Sequence, residues 1–280
     1  MVATSVYERE FAFSEKDFKY IRELISDRTG IVLAEHKVDM VYGRLSRRLR
    51  ELNLGSFNEY LSSLENDEQE IIHFVNALTT NLTAFYREPH HFEFLASQLL
   101  PSIIKNKSNK RLRIWSAGCS SGEEPYTIAM TVRSIIPENS GWDVKILATD
   151  LDSNMVKKGS DGIYNEDRVT GLSQQNMKKW VQKGRGETAG KVKMDSRLRD
   201  MITFKQLNLM NDWPMKGPFD LIFCRNVVIY FNKETQGILF NRYADMLVDD
   251  GHLFIGHSES MYKICDRFKL LGQTIYKRLS

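Results

Sequence analysis

From residue 112 onward, apolar runs rich in β-branched and aromatic residues alternate with segments of helical periodicity, and few folds accommodate that order. The candidate strands are 112–117, 144–149, 202–207, 219–224, 252–256 and 274–277, and helical patterns fill several of the gaps, notably 125–136 and 234–248. Strands joined through helices pair in parallel, so the expected core is a mainly parallel sheet covered on both faces. Gly251, after Asp249-Asp250, is placed to end the second of those helices.

The first third of the chain reads differently. Between Ser14 and about Gln98, apolar residues recur at three- and four-residue spacing, as in Phe18, Ile21, Leu24 and Ile25, then Val38, Val41, Leu45 and Leu52. Several short helices are expected, with Ser14 and Asp17 marking a start and Thr29-Gly30 and Leu54-Gly55 marking stops. The polar stretch KNKSNK at 105–110 signals a domain boundary or linker nearby. One segment interrupts the later alternation: residues 183–199 (KGRGETAGKVKMDSRLR) are glycine-rich and polar, and read as an inserted hairpin or small subdomain.

Composition excludes some function classes. Hydrophobic residues at 42% and charged residues at 27% are ordinary for a globular chain of 280 residues, long enough for a large core and a satellite unit. The net charge of +3 comes from 39 basic and 36 acidic side chains, too near balance for wholesale nucleic-acid binding. Cys119, Cys224 and Cys265 contain no C-x-x-C pair, which suggests neither a disulfide framework nor zinc and points to a reducing compartment. The opening MVATSVYEREF carries charges where a signal peptide needs an apolar stretch, and no apolar run approaches a membrane span, so a soluble cytoplasmic protein is expected. No metal site is expected: His90 and His91 are adjacent and should point apart on a helix, while His36, His73, His252 and His257 lack ligand spacing. GHSES at 256–260 is not the G-x-S-x-G elbow of a serine hydrolase.

The segment LRIWSAGCSSGEEPY places Gly118 and Gly122 between a strand and a helix, where α/β proteins bind nucleosides across the carboxyl edge of the sheet. Two glycines in a turn also serve simply to let the chain reverse. Glu123 and Glu124 then open the helix, with Pro125 in its first turn. A pyrophosphate at that helix N-terminus would meet two carboxylates, which argues against NAD or ATP and for a ligand joining adenosine to a cationic end. Asp150 ends the strand KILATD, where it is either the acceptor of ribose hydroxyl protons or a cap for the following helix; the glycine loop upstream favours the ribose role. Asn208-Leu209 and Arg225-Asn226 stand at further strand ends, either contacting the base and amino-acid portion or serving as loop residues.

NLTAFYRE at 81–88, SAGCSSGEEPYTIAM at 116–130, ATDLD at 148–152, FDLIFCRNVVIYF at 219–231, GHSES at 256–260 and GQTIYKR at 272–278 together resemble the CheR family of chemotaxis receptor methyltransferases. The motifs run in the family's order through nearly the whole chain. The resemblance implies a Rossmann-like α/β sheet that binds S-adenosylmethionine (99–280), an N-terminal all-helical domain with linker (1–98), and a small antiparallel β-subdomain inserted at about 160–200. It further implies that Asn81, Thr83, Arg87, Glu123, Asp150, Asn208, Leu209, Arg225 and Asn226 surround the cofactor, beside Gly118 of the loop, and that Tyr230 lies near the methyl-transfer site. Cys119 departs from the small residues commoner at its position.

The activity so implied is formation of γ-carboxyl methyl esters on receptor glutamates, leaving S-adenosylhomocysteine. A glutamate with a reference pKa of about 4.3 is already ionised near neutrality and needs no general base. The enzyme must strip water from a weak nucleophile and align it. Arg87 is the candidate to orient the carboxylate through two N–H bonds, and Tyr230 to direct one oxygen or shape the site. Apart from the resemblance, Arg87 pairing with Glu88 or Glu93 and Tyr230 packing beside Phe231 are the preferred readings. Arg44, Arg47 and Arg48 share one helix face, either a solvated surface or a dock for the receptor's glutamate-bearing helices. The β-subdomain is a second candidate dock, for a receptor C-terminal peptide. Competing functions are a nucleic-acid methyltransferase and an idle module that only binds the cofactor.

Overall fold

The computed structural model describes residues 9–279; residues 1–8, the start of the stretch read above as unlike a signal peptide, lie outside the described residues. The chain forms two compact units, Met1–Thr80 and Asn81–Ser280.

In the first unit, α1 (Glu15–Thr29) starts as Ser14 and Asp17 predict: the Ser14 hydroxyl accepts the Asp17 N–H, and the Asp17 carboxylate accepts the Ser14 N–H. Gly30 ends it at φ +74°. α2 (Val38–Leu52) stops before Leu54-Gly55, because Asn53 itself takes the left-handed φ of +56° and turns its N–H back to the Leu49 and Arg50 carbonyls. α3 (Phe57–Ser63) and α4 (Glu68–Leu78) follow. Ile21, Ile25, Val41, Leu45, Leu49, Tyr60 and Phe74 are wholly buried in this unit. Arg48 grips Glu70 through Nε at 2.8 Å and Nη2 at 2.6 Å, and the Tyr60 hydroxyl donates to the same carboxylate at 3.0 Å.

The second unit opens with α5 (His90–Phe94), which runs through a π-helical turn (Leu95–Leu99) into α6 (Leu100–Asn106). The sequence reading gives residues 1–98 to the helical domain and its linker; the compact units part after Thr80, so residues 81–98 group with the second unit. The reason is packing: Phe92, Leu95, Leu99 and Leu100 share one apolar cluster with Ile114, Ile128 and Phe223 of the sheet layer. KNKSNK therefore closes α6 with its first two residues and connects it to the first strand with the other four.

The strands and helices that follow are β1 (Arg111–Ala117), α7 (Glu123–Ile135), β2 (Asp143–Asp150) and α8 (Ser153–Asp161). Next come β3 (Ile163–Asn165), α9 (Gln174–Trp180), β4 (Val181–Lys183), β5 (Lys191–Met194) and α10 (Ser196–Arg199). The chain ends with β6 (Ile202–Gln206), β7 (Phe219–Cys224), α11 (Lys233–Met246), β8 (Leu247–Ile255), β9 (Phe268–Gly272) and β10 (Ile275–Arg278). Seven strands form one sheet in the order β6-β2-β1-β7-β8-β10-β9, parallel from β6 to β8, with β10 antiparallel to both neighbours. All six expected strands are present; β9 was not expected, and β8 begins five residues before 252.

Successive strand residues point to opposite faces, which explains the two apolar clusters. Ile114, Phe223 and Phe254 meet Ile128 and Met130 of α7 on one side, while Trp115, Ile222 and Leu253 meet Leu239, Phe240 and Tyr243 of α11 on the other. The inserted subdomain is a three-stranded antiparallel sheet, β3-β5-β4. It begins earlier than the glycine-rich segment, because β3 supplies its first strand. Among the described residues, no helix is long and apolar enough to cross a membrane.

Candidate active site

The site is built where β1, β2, β6, β7 and β8 end. After β1 the chain turns at Gly118, whose φ is +86°; a Cβ there would lie 2.3 Å from Cγ2 of Val227, so only glycine lets the two loops touch. The N–H groups of Gly118 and Cys119 donate to the Thr149 carbonyl at 2.8 and 2.9 Å, folding the glycine loop over the end of β2. Asp150 then holds this loop from below. Its Oδ2 accepts the Ser120 N–H at 2.7 Å and its Oδ1 the Asp152 N–H at 2.9 Å, and the Leu151 N–H also donates to the carboxylate. Burial pushes its pKa up to about 6. The helix-cap role belongs to its neighbour: Asp152 accepts the Asn154 and Met155 N–H groups at the start of α8. Leu207, ahead of Asn208, donates its N–H to the Asp150 carbonyl at 2.9 Å and so brings the end of β6 alongside. Asn208 turns its own Oδ1 to the Met210 N–H, and Leu209 is buried with its carbonyl held by Arg242 and Trp213.

Neither carboxylate at the α7 N-terminus is bare. Glu123, fully buried, accepts the Ser121 hydroxyl at 2.6 Å and pairs with Arg168, whose guanidinium also donates to the Thr83 carbonyl at 2.8 Å. Glu124 accepts the Ser116 hydroxyl at 2.6 Å and Arg225 Nη1 at 3.0 Å, and burial raises its pKa above the usual carboxylate range. Arg225 is thus turned inward, bridging Glu124, Glu88 at 3.3 Å and the Arg87 carbonyl. Asn81 donates to Asp152 at 2.8 Å, and its carbonyl accepts the Ser120 hydroxyl at 3.0 Å, which ties the NLTAFYRE segment to the glycine loop. In that segment Tyr86 and Glu88 take φ of +54° and +57°, a sparsely populated conformation for non-glycine residues. Arg87, between them, is half-buried and donates to the Leu82 carbonyl at 2.6 Å; among the described residues it makes no ion pair with Glu88 or Glu93. Tyr230 stands half-buried in the 3₁₀ turn Val228–Tyr230 after β7.

Residues 81–277 match the CheR methyltransferase SAM binding domain, and residues 16–79 match the CheR methyltransferase all-alpha domain. The chain belongs to the CheR methyltransferase family. It is 43% identical to the chemotaxis protein methyltransferase of Escherichia coli strain K12, covering 95% of this chain and 91% of that protein. It is also 43% identical to chemotaxis protein methyltransferase 2 of Pseudomonas aeruginosa, over 96% and 95% of the two chains. The corresponding protein of Borreliella burgdorferi is 40% identical over 85% of this chain and 86% of its own. As a CheR-family enzyme it is an S-adenosylmethionine-dependent methyltransferase. The residues at the rim suit that cofactor: a buried carboxylate stands at the end of β2, and the α7 N-terminus carries acids where a phosphate would need bare N–H groups.

The arginines of α2 do not form one solvated face in this CheR-family chain. Arg44 donates to the Ala77 and Thr79 carbonyls and caps α4, and the half-buried Arg48 pairs with the buried Glu70. Arg47 alone projects, 80% exposed and 3.3 Å from Glu51. The histidine expectation also needs correcting. The His90 and His91 rings lean together with centroids 4.2 Å apart, and with Glu88 they bring a potential ligand atom each within 4.8 Å of one another. Adjacent helical residues sit only 100° apart, so first-turn rings can converge. The positive charge beside this trio is already supplied by Arg225, and burial, reinforced by that charge, lowers His91 to about 3 and keeps it neutral.

Three residues that the sequence reading passed over organise the site. The sequence offers Glu88 only as a partner for Arg87, yet it gathers Arg225, Asn226 Nδ2 at 3.2 Å and His257 Nδ1 at 2.8 Å. Arg168 carried no motif signal. Glu259 lay within GHSES, where its spacing from Gly256 was the available clue.

Proposed function

We propose that the chain transfers the methyl group of S-adenosylmethionine to glutamate side chains on the cytoplasmic helices of chemotaxis receptors, forming γ-carboxyl methyl esters. The observation that carries this reading is Arg87. It stands on the NLTAFYRE segment, tied through Asn81 to the glycine loop, and no carboxylate of the described chain neutralises it. A guanidinium so placed matches an incoming carboxylate in charge and in planar two-bond geometry. Asn81, Thr83, Gly118, Glu123, Asp150, Asn208, Leu209, Arg225 and Asn226 hold the cofactor in this reading.

When bound, S-adenosylmethionine supplies an electrophilic methyl: the glutamate oxygen gains the new bond while the carbon–sulfur pair stays on sulfur, giving S-adenosylhomocysteine. The protein's part is to bind and orient. Arg87 holds the acceptor carboxylate ionised and in line, and Tyr230 directs one oxygen, an arrangement that works by proximity rather than by proton transfer. No histidine base is required, because the nucleophile is already charged at neutral pH.

For docking, Arg47 offers the one strongly exposed guanidinium of the three, with Arg44 keeping its charge beside neutral carbonyls and Arg48 fixing the helix that bears them. The β3-β5-β4 sheet, with Lys183, Lys191 and Lys193 exposed, offers the second surface, for an acidic-ended receptor tail peptide.

The test is transfer of label from methyl-labelled S-adenosylmethionine to receptor cytoplasmic fragments, followed by mild base. Base-labile label that falls at least 100-fold in Arg87→Ala is expected. Base-stable label, or label entering RNA while the receptor stays unmodified, would replace this reading with an amino- or nucleic-acid methyltransferase. Cofactor binding with no transfer at all would make the chain a docking module.

A further inference from the structure

Glu259 is a buried carboxylate to which the methyl-transfer chemistry gives no part. It stands in the turn after β8, closed by its own N–H donating to the Gly256 carbonyl at 2.9 Å. Its Oε2 accepts the Asn226 N–H at 3.0 Å together with the Gly256 N–H, and its Oε1 accepts the Ile229 N–H at 3.2 Å. A carboxylate solvated by backbone N–H groups alone is specific about where those groups must be, since each is fixed to its chain. The Asn226, Val227 and Ile229 donors all belong to the loop after β7, which carries Asn226 and Tyr230.

The two loops approach so closely that only glycine fits at position 256 without displacing Asn226. A Cβ on Gly256 would lie 2.3 Å from Asn226 Nδ2 and 2.8 Å from Asn226 N. Asn226 itself is held at φ +59°, which costs energy outside glycine and persists only where surrounding bonds enforce it. Its side chain is fixed from the other side by Glu88 at 3.2 Å. The same clamp reaches Tyr230 through the 3₁₀ turn, where the Tyr230 N–H donates to Val227 at 3.1 Å.

We propose that Glu259 is a positioning residue for methyl transfer: it clamps the 226–230 loop so that Asn226 and Tyr230 keep their places at the reacting centre. This rests on the reading of those two residues given above. Displacement of a reacting group by about 1 Å costs on the order of 100-fold in rate, so the clamp should register in turnover rather than in docking.

The experiment assays the whole chain and its Glu259→Gln and Glu259→Asp variants with labelled S-adenosylmethionine and receptor fragments, recording circular dichroism and thermal unfolding alongside. Glutamine turns an amide NH₂ toward N–H donors, whereas aspartate keeps the accepting charge. The expected result is a fall of about 100-fold in kcat for Glu259→Gln, with the receptor KM within threefold and the protein folded, and recovery of at least tenfold by Glu259→Asp. A kcat within threefold of the parent overturns the inference, as does a loss that tracks unfolded protein or an aspartate no better than glutamine. Should Glu259→Gln fail to fold, Gly256→Ala presses on Asn226 with the carboxylate intact: the same drop in kcat supports the clamp, and unchanged turnover removes it. The parent chain separates the two claims, since no transfer by the parent sinks the functional reading, while equal transfer by the variants sinks only the clamp.

Discussion

At the scale of single residues, the rim is governed by buried acids held by fixed donors, and Glu88 shows how much this is worth. Burial alone would raise its pKa, but the His257 bond and the Arg225 charge overcome that and bring it down to about 2. A carboxylate whose folded pKa lies below its unfolded value of about 4.5 adds stability at higher pH, and that contribution drains away as pH falls from about 4.5 toward 2. The difference corresponds to on the order of 3 kcal/mol at neutral pH. Glu88→Gln should therefore lower unfolding free energy by about 2–3 kcal/mol at pH 7, and the gap to the parent should shrink by about half at pH 3. Urea titrations of both proteins at the two pH values measure this. A gap that stays constant between them would mean that Glu88 acts through packing and not through its charge. The residue was invisible to sequence reading for a physical reason: its partners come from the ends of β7 and β8, 138 and 169 positions away.

At the scale of elements, spacing tells which residues share a helix face but not what covers that face. Arg44, Arg47 and Arg48 illustrate the difference, because α4 packs beside α2 and claims two of them. Arg48→Ala leaves Glu70, 5% exposed, as an unpaired buried charge, so a loss of about 3–5 kcal/mol is expected, whereas Arg47→Ala should stay within about 0.5 kcal/mol. Chemical denaturation of the two variants decides it; equal losses would mean the Arg48–Glu70 pair is no more structural than a surface one. The same limit applies to the strands. Strands β1, β2 and β7 are legible because sheet burial concentrates apolar residues in a short run, and α1 because its cap is local. Strand β9, lying at the sheet edge with Leu270 and Leu271 exposed, carries no such pattern, and β3, three residues long, falls below what periodicity can register. Asp150 was placed correctly at a strand end, while the inward turn of Arg225 onto Glu124 depends on two loops meeting.

At the scale of the whole molecule, the division into units follows cores and not polar stretches. KNKSNK looks like a linker by composition, yet the helices before it carry Leu95 and Leu99 into the sheet layer, and no sequence period says which core an apolar residue will join. Every residue proposed to hold the cofactor, from Asn81 to Asn226, falls in the second unit, and that unit buries its own apolar clusters on both faces of the sheet. The exposed Arg47 belongs to the first unit. Residues 81–280 made alone should then fold cooperatively, since a chain of that length encloses a sufficient core. By calorimetric titration it should bind S-adenosylhomocysteine within about threefold of the whole chain's affinity, and a hundredfold excess of ligand over Kd should stabilise it by about 2.7 kcal/mol. Receptor methylation by the fragment should nonetheless drop, because the surface proposed to receive the receptor's acidic helices is missing. Binding weakened more than about thirtyfold would place part of the cofactor site in residues 1–80, and methylation at the full rate would remove the α2 surface from receptor recognition.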